Sequence, residues 1–145
     1  MESKLSERLK EIVIALPLRD GIRVLEIGCG PGAMAREISK QIGSGHILAI
    51  DRSSKAIQQA ITGSQKELAT GKLSFKQITV EKLELEPGQK LFDIAVAVRV
   101  GALDGRHPEI EKQALTKIAG ALTKKGKLYI DGGNPLKEIN LDEYR

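Results

Sequence analysis

Short apolar runs alternate with stretches of helical periodicity along most of this chain. The runs are rich in Val, Ile and Leu, and the first two end at glycine and at Asp51, as strands often do. The stretches between the runs repeat apolar side chains every three or four positions, as amphipathic helices do. Strands that alternate with helices indicate βαβ units, whose right-handed crossovers build a parallel sheet. We therefore expect an α/β fold with a doubly wound, mainly parallel sheet and helices on both faces.

The same pattern predicts where the elements lie. The predicted strands cover residues 24–27, 47–50, 73–78, 92–98 and 127–130, and the predicted helices cover residues 3–16, 33–42, 53–68 and 109–122. Ser53 is expected to cap the third helix. The run at 92–98 is apolar on both faces, which favours the centre of the sheet. The tail from residue 132 onward is expected to be mostly irregular.

Composition limits the architecture to one globular domain. The chain has 145 residues, of which 41% are hydrophobic, enough for a single packed core. We expect one domain over residues 1–145, with an N-terminal helix and turn at 1–20, a sheet core at 21–131 and a tail at 132–145. The single cysteine, Cys29, excludes an intrachain disulfide and a structural zinc cluster, so no metal site is expected.

Hydropathy and charge limit where the protein can be located in the cell and which partners it can bind. No apolar run approaches the roughly 20 residues needed to cross a bilayer, and the N-terminal MESKLSERLKE lacks the apolar stretch of a signal peptide. We expect a cytoplasmic protein without membrane association. The net charge is +4, but the basic residues are scattered and the chain has two Phe, two Tyr and no Trp. Nucleic-acid binding is therefore not expected.

A glycine-rich loop follows the first predicted strand. Gly28, Gly30 and Gly32 occupy alternate positions where this strand turns into a helix. Glycine permits backbone conformations and a close ligand approach that a Cβ atom would block, and the start of the helix offers unpaired N–H groups. The alternative is a strand–helix turn without a ligand, but such a turn rarely needs three glycines so close together.

An acidic residue at the end of the second strand adds a second signal. Asp51 follows Gly32 by 19 residues. At this position a carboxylate can accept hydrogen bonds from both hydroxyls of a ribose. Its alternative role is to cap the next helix, which Ser53 can also do. Together the two signals predict a nucleoside cofactor. A dinucleotide fingerprint would place its last glycine at position 33, which is Ala33, so an NAD(P)-dependent reductase is the second alternative.

The segment VLEIGCGPG at 24–32 resembles the first motif of the class I S-adenosylmethionine-dependent methyltransferases, an acidic residue followed by G-x-G-x-G. GHILAIDRSSKAIQQA at 45–60, FDIAVAV at 92–98 and LTKKGKLYI at 122–130 are similar to later segments of that family. The resemblance thus covers residues 24–130. It implies a Rossmann-like sheet with strand order 3-2-1-4-5, S-adenosylmethionine as the cofactor and methyl transfer as the activity.

The resemblance also implies how the cofactor is held. The glycine loop would pass the methionine part while Glu26 steadies the loop, Asp51 would hold the ribose, and Arg52 would lie beside the adenine. The family often has an acidic residue where this chain has Thr79, a departure for which the nearby Glu81 is the candidate to compensate. The implied cofactor-binding residues are Glu26, Gly28, Cys29, Gly30, Gly32, Asp51, Arg52, Thr79 and Val80. Cys29 is expected to be a small buried side chain rather than a nucleophile.

Candidates for contact with the methyl acceptor follow the fourth strand. Arg99 and Arg106 could bind a carboxylate or phosphate of the substrate; the alternative is that they are solvated or paired with Asp104. His107 is a weak candidate for a general base, and its alternative is a loop residue that precedes a helix. Methyl transfer to a good nucleophile needs no dedicated base.

One absence narrows the acceptor. The family's N/D-P-P-Y/F motif, which marks methylation of amino groups in DNA bases or glutamine, is replaced here by RVGA at 99–102. Methylation of those amino groups is therefore not expected. Our expected acceptor is an oxygen, nitrogen or carbon nucleophile on a small molecule. The alternative is a cofactor-binding but non-catalytic, or partner-dependent, methyltransferase-like subunit.

The C-terminal part is short for this family, whose members usually continue with a helix and an antiparallel hairpin. About 15 residues follow Ile130, so the fifth strand would lie at a sheet edge with unpaired backbone groups. We expect a second copy, the C-terminal tail or a partner chain to cover that edge; a shortened chain would also explain it. The N-terminal helix could fold over the cofactor or simply pack on the sheet.

Overall fold

In the computed structural model, which describes residues 4–145, the strands form one six-stranded sheet in the order β3-β2-β1-β4-β5-β6. The strands are β1 (Arg23–Ile27), β2 (His46–Asp51), β3 (Leu73–Gln77), β4 (Phe92–Ala97), β5 (Leu122–Asp131) and β6 (Leu136–Ile139). The first five are parallel and β6 runs antiparallel to β5. This topology confirms the predicted α/β class, the doubly wound sheet and the order 3-2-1-4-5 of its first five strands.

Helices cover both faces of this sheet. They are α1 (Glu7–Ala15), α2 (Ala33–Ser39), α3 (Ser54–Gly63), α4 (Gln65–Ala69) and α5 (Pro108–Ala121), with short 3-10 helices at Val80–Lys82 and Asp142–Tyr144. Neighbouring side chains of β1 alternate between the faces: Val24 packs in the cluster with α1 and α2, and Leu25 in the cluster with α5. Within residues 4–145, no helix is long and apolar enough to cross a membrane.

The N-terminal helix is shorter than its periodicity predicts. Residue 3 lies outside the described residues, and α1 begins only at Glu7, because Ser6 caps it by accepting a hydrogen bond from the Leu9 amide at 3.2 Å. Ile12 and Val13 are buried, so this helix packs on the body of the protein. Of its two predicted roles, packing on the sheet is the one that the burial supports.

The helix predicted at 53–68 is in fact two helices. Ser53 caps α3 as expected, accepting from the Ala56 amide at 3.1 Å. The chain then breaks at Ser64, whose backbone leaves the helical region and whose side chain is fully buried. Its hydroxyl accepts a hydrogen bond from Arg36 at 3.0 Å. This contact with α2 holds the Ser64 side chain at the break.

The prediction of an irregular tail is wrong at residues 136–139. Strand β6 pairs with β5 from Leu128↔Ile139 to Asp131↔Leu136, and Arg145 donates to the carbonyls of Thr123 and Gly126. Of the three expected ways to cover the edge of β5, the structure therefore shows the tail. The hydrogen-bonding positions considered for a second copy or a partner chain are occupied by β6 over this stretch.

Burial of the tail predicts that it stabilises the fold. Leu141 is 2% exposed and packs in the cluster around α5, so Leu141→Ala is expected to lower the free energy of unfolding by about 2–4 kcal/mol. Ile14, which is 83% exposed on α1, is the control: Ile14→Ala should change it by less than about 0.5 kcal/mol. Urea unfolding measures both, and equal effects would contradict an integral tail.

Candidate functional site

A cleft of about 270 Å³ opens at the carboxyl ends of the parallel strands. It is lined by residues 27–28, 50–52, 78–81, 99–102, 106–107 and 110. These residues lie at the ends of β1 and β2, in the segments after β3 and β4, and in the first turn of α5. Ligands of open α/β sheets bind at this edge. The lining brings together most of the residues singled out in the sequence, and Glu26, Cys29, Gly30 and Gly32 belong to the adjoining strand end and loop.

The glycine loop has left-handed backbone at three alternate positions. Gly28, Gly30 and Gly32 have φ angles of 76°, 55° and 89°. At Gly28 a Cβ atom would lie 2.8 Å from a methyl group of Val100, so this glycine lets the segment after β4 approach the loop. At Gly30 a Cβ atom would meet nothing within 4 Å. The backbone there faces open space, which a ligand can approach closely.

Asp51 is bonded directly to this loop. Its Oδ2 accepts from the Gly30 amide at 2.9 Å, and its Oδ1 accepts from the Ser53 amide at 2.8 Å. The second contact helps to start α3, but Ser53 provides the side-chain cap of that helix. The glycine loop and Asp51, which are separate features in the sequence, are therefore in direct contact in the structure. A carboxylate has about four lone-pair sites, so Asp51 can accept further hydrogen bonds.

Glu26 lies at the base of the loop in an environment that opposes its charge. The side chain is 3% exposed, and burial, with a smaller contribution from the negative charge of Asp51, raises the pKa of its carboxyl to about 8. Its Oε1 has no hydrogen-bond partner among residues 4–145, and neither has the buried Oγ1 of Thr79. An unsatisfied buried polar atom costs about 1–3 kcal/mol, so both atoms could be satisfied by a ligand or ordered water.

Cys29 fits the expectation of a small buried side chain. It is free and buried, and burial first, then the nearby Glu26 and Asp51 carboxylates, raise the pKa of its thiol. Because the thiolate is the reactive form, this environment keeps the sulfur inert. The loop thus holds Cys29 as packing between two glycines.

Arg36 is a residue of the site that the sequence analysis missed. The side chain is 3% exposed in α2, and its Nη1 donates to the Pro31 carbonyl and to the Ser64 hydroxyl, each at 3.0 Å. It therefore supports the glycine loop from within the protein and connects that loop to the break between α3 and α4. Nothing in the sequence distinguishes this arginine from a solvated one, since charged helix residues are mostly exposed.

The segment after β4 holds the predicted acceptor contacts. Arg106 pairs with Asp104, with its Nε 3.0 and 2.8 Å from the two carboxylate oxygens, and this hydrogen bonding lowers the pKa of the Asp104 carboxyl. For Arg106 the structure thus favours the alternative of pairing with Asp104. Its Nη2 also donates to the Arg99 carbonyl at 2.9 Å. Arg99 has a left-handed φ of 57°.

His107 occupies the position that its alternative interpretation predicts. It is the residue before α5, where its side chain makes no capping hydrogen bond, and its Nδ1 lies 3.4 Å from Glu109 Oε1. The ring packs closely against Gly101, where a Cβ atom would come within 2.6 Å of it. His107 nevertheless lines the cleft, so both roles remain compatible with its place.

The raised pKa of Glu26 predicts that the free energy of unfolding depends on pH. The pKa of its carboxyl is higher in the folded protein, at about 8, than its ordinary value of 4.5, so its contribution to stability is full below pH 4.5 and is lost as the pH rises through 8. Glu26→Gln, which cannot ionise, should therefore unfold at higher urea concentration than the wild type at pH 9, with a smaller difference at pH 5.

The matched control is Glu11→Gln, which changes an exposed carboxyl on α1 and should leave the difference between pH 5 and pH 9 as it is in the wild type. A Glu26→Gln variant that keeps the wild-type pH profile would show that burial of this carboxyl has no such effect.

Comparison with known proteins places the chain in a family. A family model described as a methyltransferase domain matches residues 18–143. Over 128 residues the chain is 24% identical to a ribosomal protein L11 methyltransferase of Thermosipho melanesiensis, covering 88% of this chain and 46% of that protein. Over 97 residues it is 31% identical to a sterol 24-C-methyltransferase of Gibberella zeae, covering 64% of this chain and 25% of that protein.

A solved structure agrees at the level of the fold. The chain is similar, with a TM-score of 0.65 and 22% identity, to a SAM-dependent methyltransferase from Thiobacillus denitrificans in complex with S-adenosyl-L-homocysteine. The match covers 86% of this chain and 47% of that one. The chain thus spans less than half of the length of each of these three proteins. The family model and the shared topology confirm the resemblance of the glycine loop and its strands, and the chain belongs to the methyltransferase-domain family.

Proposed function

We propose that this chain binds S-adenosylmethionine in the cleft and transfers its methyl group to a nucleophilic atom of a small-molecule acceptor. The observation that carries the proposal is the hydrogen bond between the Asp51 carboxylate and the Gly30 amide. It sets a hydrogen-bond acceptor for ribose hydroxyls against a loop whose backbone is open to a ligand.

The residues present fit this cofactor. Asp51 retains lone pairs for the ribose, and Arg52, Thr79 and Val80 line the cleft where the adenine would lie. The unpartnered oxygens of Glu26 and Thr79 supply buried polar atoms near these positions. Thr79 stands where relatives often have an acidic residue, and its buried Oγ1 can still form a hydrogen bond. When bound, S-adenosylmethionine supplies an electrophilic methyl group on a positively charged sulfur.

The chain's own residues contribute position and exclusion of water. The glycine loop would hold the methionine part, while Val100, Ala102 and Ile110 give the cleft an apolar wall. A concave cleft with apolar walls and a few charged groups is typical of small-molecule sites. The acceptor would lie against residues 99–107, where His107 can accept a proton if the nucleophile needs a base.

A non-catalytic or partner-dependent subunit is the second candidate. It is favoured by the pairing of Arg106 with Asp104 and by the place of His107 next to Glu109 at the start of α5. Both candidates predict binding of S-adenosylmethionine. Release of S-adenosylhomocysteine during incubation with labelled S-adenosylmethionine and a panel of acceptors would support the enzyme. Binding without any turnover would favour the subunit.

Asp51 gives the direct test of cofactor binding. Asp51→Ala removes the ribose acceptor and the fastening of the loop, and hydrogen bonds to charged groups contribute about 1.5–3 kcal/mol. We expect it to weaken binding of S-adenosylhomocysteine at least tenfold in calorimetric titration. Asp51→Asn keeps one oxygen for the Gly30 amide but loses an acceptor, so it should also bind more weakly. His107→Ala should bind as the wild type does.

Titration with NAD and NADP in the same buffer tests the reductase alternative. Wild-type protein that binds a nicotinamide nucleotide and not S-adenosylhomocysteine would overturn the proposal. Unchanged affinity of Asp51→Ala for S-adenosylhomocysteine would show that the site assignment is wrong.

A further inference from the structure

Arg99 has an unusual backbone that two neighbours fix in place. It follows β4 with a φ of 57°, which is uncommon for a residue other than glycine. Its amide donates to Asp131 Oδ1 and its carbonyl accepts from Arg106 Nη2, both at 2.9 Å. Backbone strain of this kind costs about 1–3 kcal/mol and concentrates at functional sites. Because both its amide and its carbonyl are held, the direction of the Cα–Cβ bond of Arg99 is also held.

The charges around Arg99 are compensated within the protein. Arg106 pairs with Asp104, and Asp131 pairs with Arg8 of α1 at 3.0 Å. The Arg99 guanidinium, by contrast, makes no hydrogen bond or ion pair with any residue from 4 to 145. The Arg106–Asp104 and Arg8–Asp131 ion pairs therefore include the two residues that hold the Arg99 backbone. The charge of Arg99 itself is available to the cleft that this residue lines.

The two ends of the cleft also differ in the charges that line them. The acidic lining residues are Asp51, at the end of β2, and Glu81, after β3. Of the lining arginines, Arg52 follows Asp51, whereas Arg99 follows β4. Like-charge repulsion disfavours an anion beside the carboxylates, whereas the positive charge of Arg99 attracts an anion to the part of the cleft after β4. Apolar side chains of Val100, Ala102 and Ile110 line the same part of the cleft. They suit an apolar body attached to the anionic group.

We infer that Arg99 binds an anionic group, a carboxylate or a phosphate, of a methyl acceptor whose apolar part lies against Val100, Ala102 and Ile110. The planar guanidinium can donate two parallel hydrogen bonds to either group. Arg106 is then a positioning residue, which acts through the Arg99 carbonyl and does not itself bind the substrate. This inference rests on the proposed function, because the anionic group would place the acceptor beside bound S-adenosylmethionine.

The test uses simple probes with the cofactor product bound. Protein saturated with S-adenosylhomocysteine is titrated with benzoate, phenyl phosphate or benzamide, and binding is followed by the amide resonances of Gly101 and Ala102. At least one of the two anions should bind and shift these resonances, while the uncharged benzamide should bind at least tenfold more weakly. The tighter of the two anions identifies the group that Arg99 selects.

Two matched variants isolate the charge of Arg99. Arg99→Asn removes the guanidinium with a residue that tolerates left-handed backbone, and it should weaken anion binding at least tenfold without changing the affinity for S-adenosylhomocysteine. Arg19→Asn removes the same charge from an exposed position before the amino end of β1, whereas the cleft lies at the carboxyl ends of the strands. Arg19→Asn should change neither the affinity for the anions nor the affinity for S-adenosylhomocysteine.

The outcomes separate the two proposals. Failure of the wild type to bind S-adenosylhomocysteine would overturn the proposed function, and the role of Arg99 with it. Three results obtained with normal binding of S-adenosylhomocysteine would overturn the role of Arg99 alone. They are equal affinities for benzamide and for the tighter of the two anions, no binding of either anion, and unchanged anion affinity in Arg99→Asn.

Discussion

Parallel pairing of β1 with β2 is the constraint on which the site depends. Because Ile27 lies opposite Ile50, the two strands end at the same level. The Ile50 carbonyl accepts from the amides of both Gly28 and Cys29, at 2.8 and 3.0 Å. The next residue of β2, Asp51, then meets the Gly30 amide. A one-residue shift of this register would exchange the faces of β2 and move the carboxylate away from the loop.

Three groups that cost free energy lie around the cleft, whereas apolar side chains pack against the two faces of the sheet. Glu26 is a buried carboxyl with an unpartnered oxygen, Thr79 has an unpartnered hydroxyl, and Arg99 has left-handed backbone. Each costs free energy that the apolar clusters on the two faces of the sheet offset. Departures from local rules of this kind are typical of functional sites. Their grouping at one edge agrees with the position that the topology assigns to the ligand.

The fold was largely predictable because its signals are local. Apolar periodicity indicated the five parallel strands, and the buried run of β4 lies near the centre of the sheet as expected. The errors lie where a distant contact decides the local structure. At the break, the Ser64 hydroxyl accepts a hydrogen bond from Arg36, which is 28 residues away. Strand β6 is formed by residues 136–139 where they pair with the free edge of β5. Neither contact leaves a periodic trace in the chain.

For the site, the sequence by itself determined the glycine loop, the acidic residue at the end of the second strand and the arginines after the fourth. These depend on residue type and spacing, which the covalent chain specifies. Tertiary structure alone decided the state of each group: that Glu26 is buried, that Arg36 supports the loop, and that Arg106 pairs with Asp104 while the Arg99 guanidinium remains available. Burial and charge pairing depend on which distant segments meet, and no local pattern in the sequence records that.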